Sequence, residues 1–438
     1  MSRPAKRHER AITAGIPHRI EDQDMKPLLL NTAESQGGAA IATRRLHLGL
    51  RAIGVDSRML VQARNSDDAH VIGPRTKAQK AVAFFRPYVE QVPVKCYPRR
   101  NKGQFTPAWL PEHLASDVAR LDPEIVHLFW VGGGFLRLES LRDFKRPIVW
   151  TLHDMWPFTG GCHYDEGCGK FRQSCGSCPV LHSERERDLS RSIWERKRNA
   201  WRGVPITMVA SCHWMADLAR ASALFRDQRI EVIPNGLDTD RYKPIDTKVA
   251  REAYNLPQDK QLILLSAHGA TSDKRKGNQF LTQALEQLAP AGREARVELV
   301  IIGASAPEQP PAGGIKVHYM GYMQDEISQV LLYSAADVLV APSIQENLSN
   351  TVMESLACGT PVVAFDVGGM PDMIEHEKCG YLAKPFEAAD LARGISWVLE
   401  DRERHALLSR NARHKVVENF ALHKIARRYL ELYESIVQ

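Results

Sequence analysis

Short apolar runs alternate with amphipathic helical patterns along most of this 438-residue chain. This alternation is typical of βαβ units, in which helices connect parallel strands. The first half predicts strands at 27–31, 55–62, 125–129, 148–152 and 207–210, and helices at 39–53 and 184–202. The second half predicts strands at 262–267, 297–303, 338–341 and 361–365, and helices at 277–288, 326–335, 349–357, 387–399, 402–419 and 422–436. The chain is therefore predicted to be an α/β protein.

The segment Ile233-Pro234-Asn235-Gly236-Leu237-Asp238 interrupts the alternation with residues that favour turns. We predict two doubly wound Rossmann-like domains, at 25–230 and 231–420, and a last helix at 421–438. Ligands of such domains bind beyond the carboxyl ends of the strands. The cleft between the two domains is therefore the predicted site.

The net charge of +6 is concentrated at the amino terminus, where the first twenty residues carry five basic residues and one acidic residue. Residues 1–24 are predicted to be a flexible basic tail, with Met25 as an alternative start to Met1. The remainder is nearly neutral, which argues against nucleic-acid binding. No apolar run suits a membrane span or a signal peptide. We therefore expect a cytoplasmic protein whose eight cysteines are mostly thiols or metal ligands.

The densest chemical signal is the segment 342–354, in which Glu346 and Glu354 flank a predicted helix start at Ser349. Eight helical residues span about 12 Å, which is too far for a carboxylate pair that shares a proton. Separate contacts with one extended ligand, such as a sugar hydroxyl and a ribose, fit this spacing better. The alternative is a capped helix with surface charges.

Three further segments lie at the ends of predicted strands. Gly37 and Gly38 would let backbone approach a phosphate, although a tight turn explains them equally well. The cations of 272–277 could hold a diphosphate, or they could be a solvated loop. His153 could bind a substrate or act as a base, and a structural histidine is the alternative.

A cysteine-rich insert occupies 160–182, with Cys162, Cys168, Cys175 and Cys178 among glycines and polar residues. Four thiolates suit a tetrahedral structural zinc. Only Cys175 and Cys178 have the spacing of a zinc knuckle, so free thiols or disulfides remain alternatives.

The predicted helix at 189–202 carries Leu189, Ile193, Trp194 and Trp201 near one face and several basic residues on the other. This pattern suits an anionic membrane surface or a phosphate-bearing acceptor. The alternative is an ordinary packed helix with a solvated basic face.

In order and context, these motifs resemble those of the retaining glycosyltransferase family 4, which has the GT-B fold. The resemblance runs from about Met25 to the carboxyl terminus and includes the Glu-x7-Glu signature at Glu346 and Glu354. Within the family, 31–47 and the segment 153–162, His-Asp-Met-Trp-Pro-Phe-Thr-Gly-Gly-Cys, resemble the colanic-acid and exopolysaccharide branch. The resemblance implies two domains across a cleft and a last helix, with Tyr429 and Tyr433, that crosses back onto the first domain.

The resemblance also implies roles for individual residues. Glu346 would contact the donor sugar, Glu354 the ribose, and Lys276 with Arg275 the diphosphate. Many relatives place an arginine earlier, where this chain has Gly269-Ala270-Thr271, so Arg275 is expected to substitute. His153 would face the reacting sugar or the acceptor. Further donor contacts would come from Gly37 and Gly38 and from the backbone of Asn347, Leu348 and Ser349.

The predicted activity is transfer of a sugar from a nucleoside-diphosphate sugar to a glycan hydroxyl, with retention and without a catalytic metal. The acceptor is expected to be linked to polyprenyl diphosphate at the inner membrane face, where the protein would be peripheral. The alternatives are a sugar-nucleotide epimerase or phosphorylase-like enzyme of the GT-B type and a non-catalytic scaffold that binds sugar nucleotides.

Overall fold

The computed structural model describes residues 25–101, 103–266, 273–288, 296–306, 314–323 and 325–438. The predictions made for the tail at 1–24 and for Gly269-Ala270-Thr271 lie outside these residues. In the described part, no helix is long and apolar enough to cross a bilayer.

The first domain is built on a sheet of seven strands: β1 (Pro27–Ala33), β2 (Arg58–Ala63), β3 (Val71–Ile72), β4 (Ile125–Leu128), β5 (Ile148–Leu152), β6 (Ile206–Ala210) and β7 (Ile230–Val232). Its helices are α1 (Gly38–Ala52), α2 (Lys77–Glu90), α3 (Leu114–Leu121), α4 (Leu189–Trp201) and α5 (His213–Ala221). The strands are parallel in the order β3-β2-β1-β4-β5-β6-β7. Because β7 joins this sheet, the domain extends slightly beyond the predicted boundary at residue 230.

The second domain has six parallel strands: β8 (Gln261–Ser266), β9 (Val297–Ile302), β10 (Val317–Gly321), β11 (Val338–Ala341), β12 (Val362–Phe365) and β13 (Gly380–Ala383). Their order is β10-β9-β8-β11-β12-β13. The helices that follow β7 are α6 (Thr247–Ala253), α7 (Asn278–Leu288), α8 (Glu326–Ala335), α9 (Asn350–Ala357), α10 (Met370–Met373), α11 (Ala388–Glu400), α12 (Arg402–Asn419) and α13 (Leu422–Val437). The predicted pair of doubly wound domains is confirmed.

Each sheet reverses its strand order once, between β1 and β4 in the first domain and between β8 and β11 in the second. The connections diverge to opposite sides at such a point, which leaves a crevice at the carboxyl ends of the strands. The strands are apolar because helices cover both faces of a parallel sheet; all five residues of β5, for example, are buried. The topology therefore places two crevices at the carboxyl edges of the two sheets.

The chain crosses between the domains twice, and the two crossings lie side by side. Leu237 donates its backbone N–H to the carbonyl of Phe420, and Leu422 donates to the carbonyl of Leu237, both at 2.8 Å. A β-carbon on Gly236 would lie 2.8 Å from Leu422, so a larger residue would push the crossings apart. The predicted junction at 233–238 is thus one half of a paired crossing.

Helix α13 returns to the first domain, as the resemblance implied. Tyr433 and Tyr429 are buried there against β1, β4 and α1. The hydroxyl of Tyr433 lies 2.6 Å from Nδ1 of His127, and Nε2 of His127 lies 2.8 Å from Oγ1 of Thr151, which also contacts the hydroxyl of Tyr429. Burial lowers the pKa of His127 well below its usual value, so the ring is neutral in this network.

We predict that Tyr433→Phe lowers the free energy of unfolding by about 1–3 kcal/mol, because it leaves a buried nitrogen of His127 without a partner. The measurement is the urea unfolding midpoint. Tyr88→Phe is the matched control, since Tyr88 is 61% exposed, and it should change the free energy by less than about 0.5 kcal/mol. Equal midpoints for wild type and Tyr433→Phe would show that the network does not hold α13.

Candidate active site

Glu346 lies in the loop between β11 and α9, where a cationic turn from the same domain neutralises it. Its Oε2 is 2.6 Å from Nζ of Lys276 and 3.8 Å from Nη1 of Arg275, both in the turn Lys274–Lys276. Burial alone would raise the pKa of Glu346, but the two cations hold it below its usual value. The structure thus brings together the three charged residues that were predicted to meet the donor sugar and diphosphate.

Glycines allow the loops around Glu346 to pack this closely. A β-carbon on Gly277, whose φ is +71°, would overlap the carbonyl oxygen of Pro342. A β-carbon on Gly368 (φ +57°) would overlap the carbonyl oxygen of Glu346 itself. Any side chain at these positions would move Lys276 or Glu346.

Glu354 lies on α9, and both of its carboxylate oxygens have partners. Nη2 of Arg45, from α1 of the first domain, is 2.7 Å from Oε1, and the hydroxyl of Tyr333 is 2.9 Å from Oε2. Arg45 also reaches the hydroxyl of Tyr242 at 3.1 Å. Glu354 and Arg45 are both buried, so this is a buried ion pair between the domains. A carboxylate oxygen can accept a second hydrogen bond, so these contacts are compatible with a ribose hydroxyl.

The loop after β5 contacts the loop that carries Glu346. The side-chain amide of Asn347 donates to the carbonyl of Leu152 at 2.9 Å, and its oxygen accepts from Ser211 at 3.0 Å. Nε2 of Gln345 lies 3.9 Å from the sulfur of Met155. His153 and Glu346 therefore follow strands of different domains but belong to two loops in direct contact.

The start of α9 faces the glycine pair of the first domain. Ser349 caps the helix, accepting from the N–H of Val352 at 3.4 Å, as the sequence predicts. Asn350 donates its side-chain amide to the carbonyl of Gly38 at 3.1 Å. Gly37 precedes α1 with φ +92°, and Leu348 is buried beside the cap. The glycine pair and the start of α9, both predicted to contact the donor, thus lie opposite each other across the cleft.

His153 lies at the carboxyl end of β5, beside a small pocket lined by Phe129, Trp130, Asp154, Trp156 and His163. Its Nε2 is buried and has no hydrogen-bond partner among the described residues. Burial lowers the pKa of His153 to about 4, although Asp154 acts in the opposite direction. A neutral ring with an unsatisfied nitrogen is suited to bind a hydroxyl group.

Asp154 and His163 form a buried hydrogen-bonded pair in this pocket. The sequence analysis did not assign this pair. Oδ2 of Asp154 is 2.6 Å from Nδ1 of His163, whose Nε2 is 2.8 Å from Oγ1 of Thr106. The backbone N–H of Trp156 donates to the other carboxylate oxygen. Burial would raise the pKa of Asp154, but His163 lowers it. The position of Asp154 at a strand end, directly after His153, was the available signal.

The cysteine insert contacts the cationic turn of the second domain, because Arg275 stacks on the ring of Tyr164 at 4.9 Å. Its four cysteines are free thiols, and burial raises the pKa of each, that of Cys175 to about 12. Among the described residues, no group of three or more cysteines, histidines or carboxylates is arranged to hold a metal ion. That Cys162, Cys168, Cys175 and Cys178 bind a structural zinc stays a prediction.

Helix α4 is a packed helix, which was the alternative to a membrane-binding face. Ile193, Trp194 and Trp201 are buried, and so is Lys197, which was expected on the basic face. Nζ of Lys197 donates to the carbonyls of Trp156 and Thr159 and lies 3.9 Å from the ring centre of Trp156. This lysine therefore holds the loop of Trp156 and Thr159, which borders the pocket beside His153, and it is not available to a membrane.

Two family models match this chain, one for each domain. The model described as Glycosyltransferase Family 4 matches residues 36–241, and the model described as Glycosyl transferases group 1 matches residues 262–401. The boundary between the two matches falls between β7 and β8, where the structure separates its sheets.

Individual relatives are distant. The 2-deoxystreptamine glucosyltransferase of Streptomyces kanamyceticus is 30% identical over 48% of this chain and 55% of its own length. The sulfoquinovosyl transferase SQD2 of Arabidopsis thaliana is 26% identical over 79% of this chain and 59% of its own length. This chain thus spans little more than half of these two relatives. The putative colanic acid biosynthesis glycosyl transferase WcaC of Escherichia coli K12 is 25% identical over 78% of this chain and 83% of its own length.

Solved structures share the fold across both domains. Sucrose-phosphate synthase from Thermosynechococcus elongatus superposes with a TM-score of 0.67 at 21% identity, covering 94% of this chain and 98% of the other. Anabaena HepE in complex with UDP-glucose gives a TM-score of 0.61 at 17% identity, covering 94% and 100%. With both domain models matched in order and this fold, the chain belongs to the family 4 glycosyltransferases of the GT-B fold.

Proposed function

We propose that this protein transfers a sugar from a nucleoside-diphosphate sugar to a hydroxyl group of a glycan acceptor, with retention at the anomeric carbon. One observation carries the proposal. The loop with His153 and its unpartnered Nε2 contacts the loop in which Glu346 is paired with Lys276. The neutral ring of His153 and the cations Lys276 and Arg275 thus flank one cleft. Cleavage of a sugar–diphosphate bond requires positive charge at the departing diphosphate, which these cations supply.

The leaving group determines what the cleft must supply. When the bond to the anomeric carbon breaks, negative charge develops on the diphosphate, and Lys276, Arg275 and the amino-terminal end of α9 stabilise it. Glu346 is already ion-paired with Lys276, which suits a positioning contact with the donor sugar better than nucleophilic attack. The departing diphosphate then accepts the proton of the attacking hydroxyl on the same face, and this gives retention.

The acceptor is proposed to be a polyprenyl-diphosphate-linked glycan used in cell-surface polysaccharide synthesis, at the inner face of the cytoplasmic membrane. The resemblance to the exopolysaccharide branch supports this choice, together with the similarity to WcaC over both domains. The pocket beside His153, with Asp154 and two indole rings, offers the polar and aromatic groups with which proteins bind sugars.

A panel of nucleoside-diphosphate sugars, incubated with lipid-linked acceptors, tests the proposal by mass spectrometry of the glycan. We expect transfer from one donor class, and Glu346→Gln should lower kcat at least about 100-fold while nucleotide binding is largely retained. Glu354→Gln should instead mainly weaken donor binding; glutamine is chosen because its amide oxygen can still accept a hydrogen bond from the buried Arg45, which alanine could not.

The matched control is Glu298→Gln, a buried carboxylate in β9 that pairs with His318; it should change kcat less than about twofold. Equal, mild effects of Glu346→Gln and Glu354→Gln would show that the donor site is elsewhere. A free epimerised sugar nucleotide formed without acceptor would identify an epimerase, and donor binding without transfer to any acceptor would identify a scaffold.

The pH dependence tests the state of His153. Because its pKa is lowered to about 4, the ring stays neutral as the pH falls from 8 to about 5.5, and we expect no loss of kcat/KM near the ordinary histidine pKa of about 6.5. An acid limb near pH 6.5 that disappears in His153→Asn would show instead that a protonated His153 limits the reaction.

Transfer is expected to proceed without a divalent metal, because Lys276 and Arg275 supply the positive charge at the diphosphate. The rate in excess EDTA should stay within about twofold of the untreated rate. A loss of activity in EDTA that added Mg²⁺ or Mn²⁺ restores would contradict this expectation.

A further inference from the structure

Helix α2 is exposed to an unusual degree for a helix of a folded domain. It spans Lys77–Glu90, and Glu90 is its one buried residue. Thr76 and Gln79 form a capping box at its start, so the helix is well defined locally. Helices in proteins gain most of their stability by packing an apolar face against a core. The outward apolar side of α2 lacks such packing within the described chain.

The exposed residues of α2 include large apolar side chains. Phe84, Phe85 and Tyr88 are each about three-fifths exposed, and the ring centre of Phe84 lies 5.3 Å from that of Phe85 and 5.7 Å from that of Tyr88. Val82, Val89, Val92 and Trp109 extend the surface. Clusters of this size on a protein surface usually mark an interaction site. We call these seven residues the α2 surface.

The charge around the α2 surface indicates its partner. Residues 75–100 contain seven basic residues and one acidic residue, Glu90, which is buried. Two copies of this chain that met through this surface would bring like charges together. An anionic lipid layer satisfies both features, because its headgroups attract the cations and its acyl boundary takes up the aromatic rings.

We propose that the α2 surface lies on an anionic membrane, with the helix in the plane of the headgroups. Phe84, Phe85 and Tyr88 enter the acyl boundary, and Lys77 and Lys80 at the helix start contact the headgroups. This assigns membrane contact to α2 and not to α4, whose apolar face is packed inside the domain.

The inner side of α2 connects the surface to the cleft. Nε of Arg86 donates to the carbonyl of Gly134 at 2.9 Å, in the loop that follows β4. Gly132 of the same loop lines the pocket beside His153. A membrane under α2 therefore lies next to the acceptor side of the cleft. This last step rests on the proposed function, since it makes the surface the route by which a lipid-linked hydroxyl reaches the donor.

Co-sedimentation of the full chain with vesicles tests the proposal. We expect binding to phosphatidylcholine vesicles that contain phosphatidylglycerol, with much weaker binding to phosphatidylcholine alone. Phe84→Ser combined with Phe85→Ser, and separately Lys77→Glu combined with Lys80→Glu, should each weaken partitioning at least about tenfold. The basic tail at 1–24 is present in every variant, so these losses belong to α2.

Matched controls change exposed residues elsewhere: Val249→Ser with Leu407→Ser for the apolar pair, and Lys243→Glu with Lys248→Glu for the charged pair. They should bind vesicles like the wild type. Binding that is unchanged by the α2 substitutions, or absent from anionic vesicles, would overturn the proposal. So would a dimer in sedimentation equilibrium that Phe84→Ser with Phe85→Ser converts to a monomer.

Transfer to a water-soluble acceptor analogue separates the two proposals. The Phe84→Ser, Phe85→Ser variant should retain the wild-type rate on this analogue and lose activity on acceptor embedded in vesicles. Full activity of this variant on embedded acceptor would contradict a role for α2, even if transfer itself is established.

Discussion

The two crossings between the domains are paired by hydrogen bonds at Leu237, and α13 then anchors the end of the chain in the first domain. This arrangement holds the carboxyl edges of the two sheets face to face. The contacts of the cleft depend on it, because Asn347, Arg45 and Asn350 each bond to a residue of the opposite domain. Motion of one domain relative to the other must break these bonds, and closure over a ligand would form them again.

The charges of the cleft are balanced before any donor binds. Lys276 and Arg275 neutralise Glu346, and Arg45 neutralises Glu354. Under the proposed function, a diphosphate takes Lys276 as its own partner, and the sugar hydroxyls take up the hydrogen-bonding capacity of Glu346. Binding would then replace the ion pair between Lys276 and Glu346 by an ion pair between Lys276 and the diphosphate and by hydrogen bonds from the sugar to Glu346, so that neither buried group is left without a partner.

Much of the fold was predictable because hydrophobic periodicity and the residues that favour turns and helix caps are features of short stretches of sequence. Helices α8 and α12 and strands β5 and β11 have the predicted bounds, and Ser349 caps α9. Helix α2 was missed, although the capping box at Thr76 and Gln79 was a usable signal, because its apolar residues face outward and Pro87 interrupts the pattern. The zinc prediction rests on residue type and spacing and stays a prediction, because ligand geometry depends on how the insert folds.

The sequence by itself determined two parallel-sheet domains and the loops that carry Glu346, Lys276, His153 and the glycine pair. Strand ends and turns depend on residues that are neighbours in the chain, so they can be recognised without the tertiary structure. Only the tertiary structure decided which of these residues have partners. Contacts between positions such as Arg45 and Glu354, far apart in the chain, depend on how the sheets face each other. The same holds for Lys197 and α2, because burial is a property of the packed chain and not of a helical pattern.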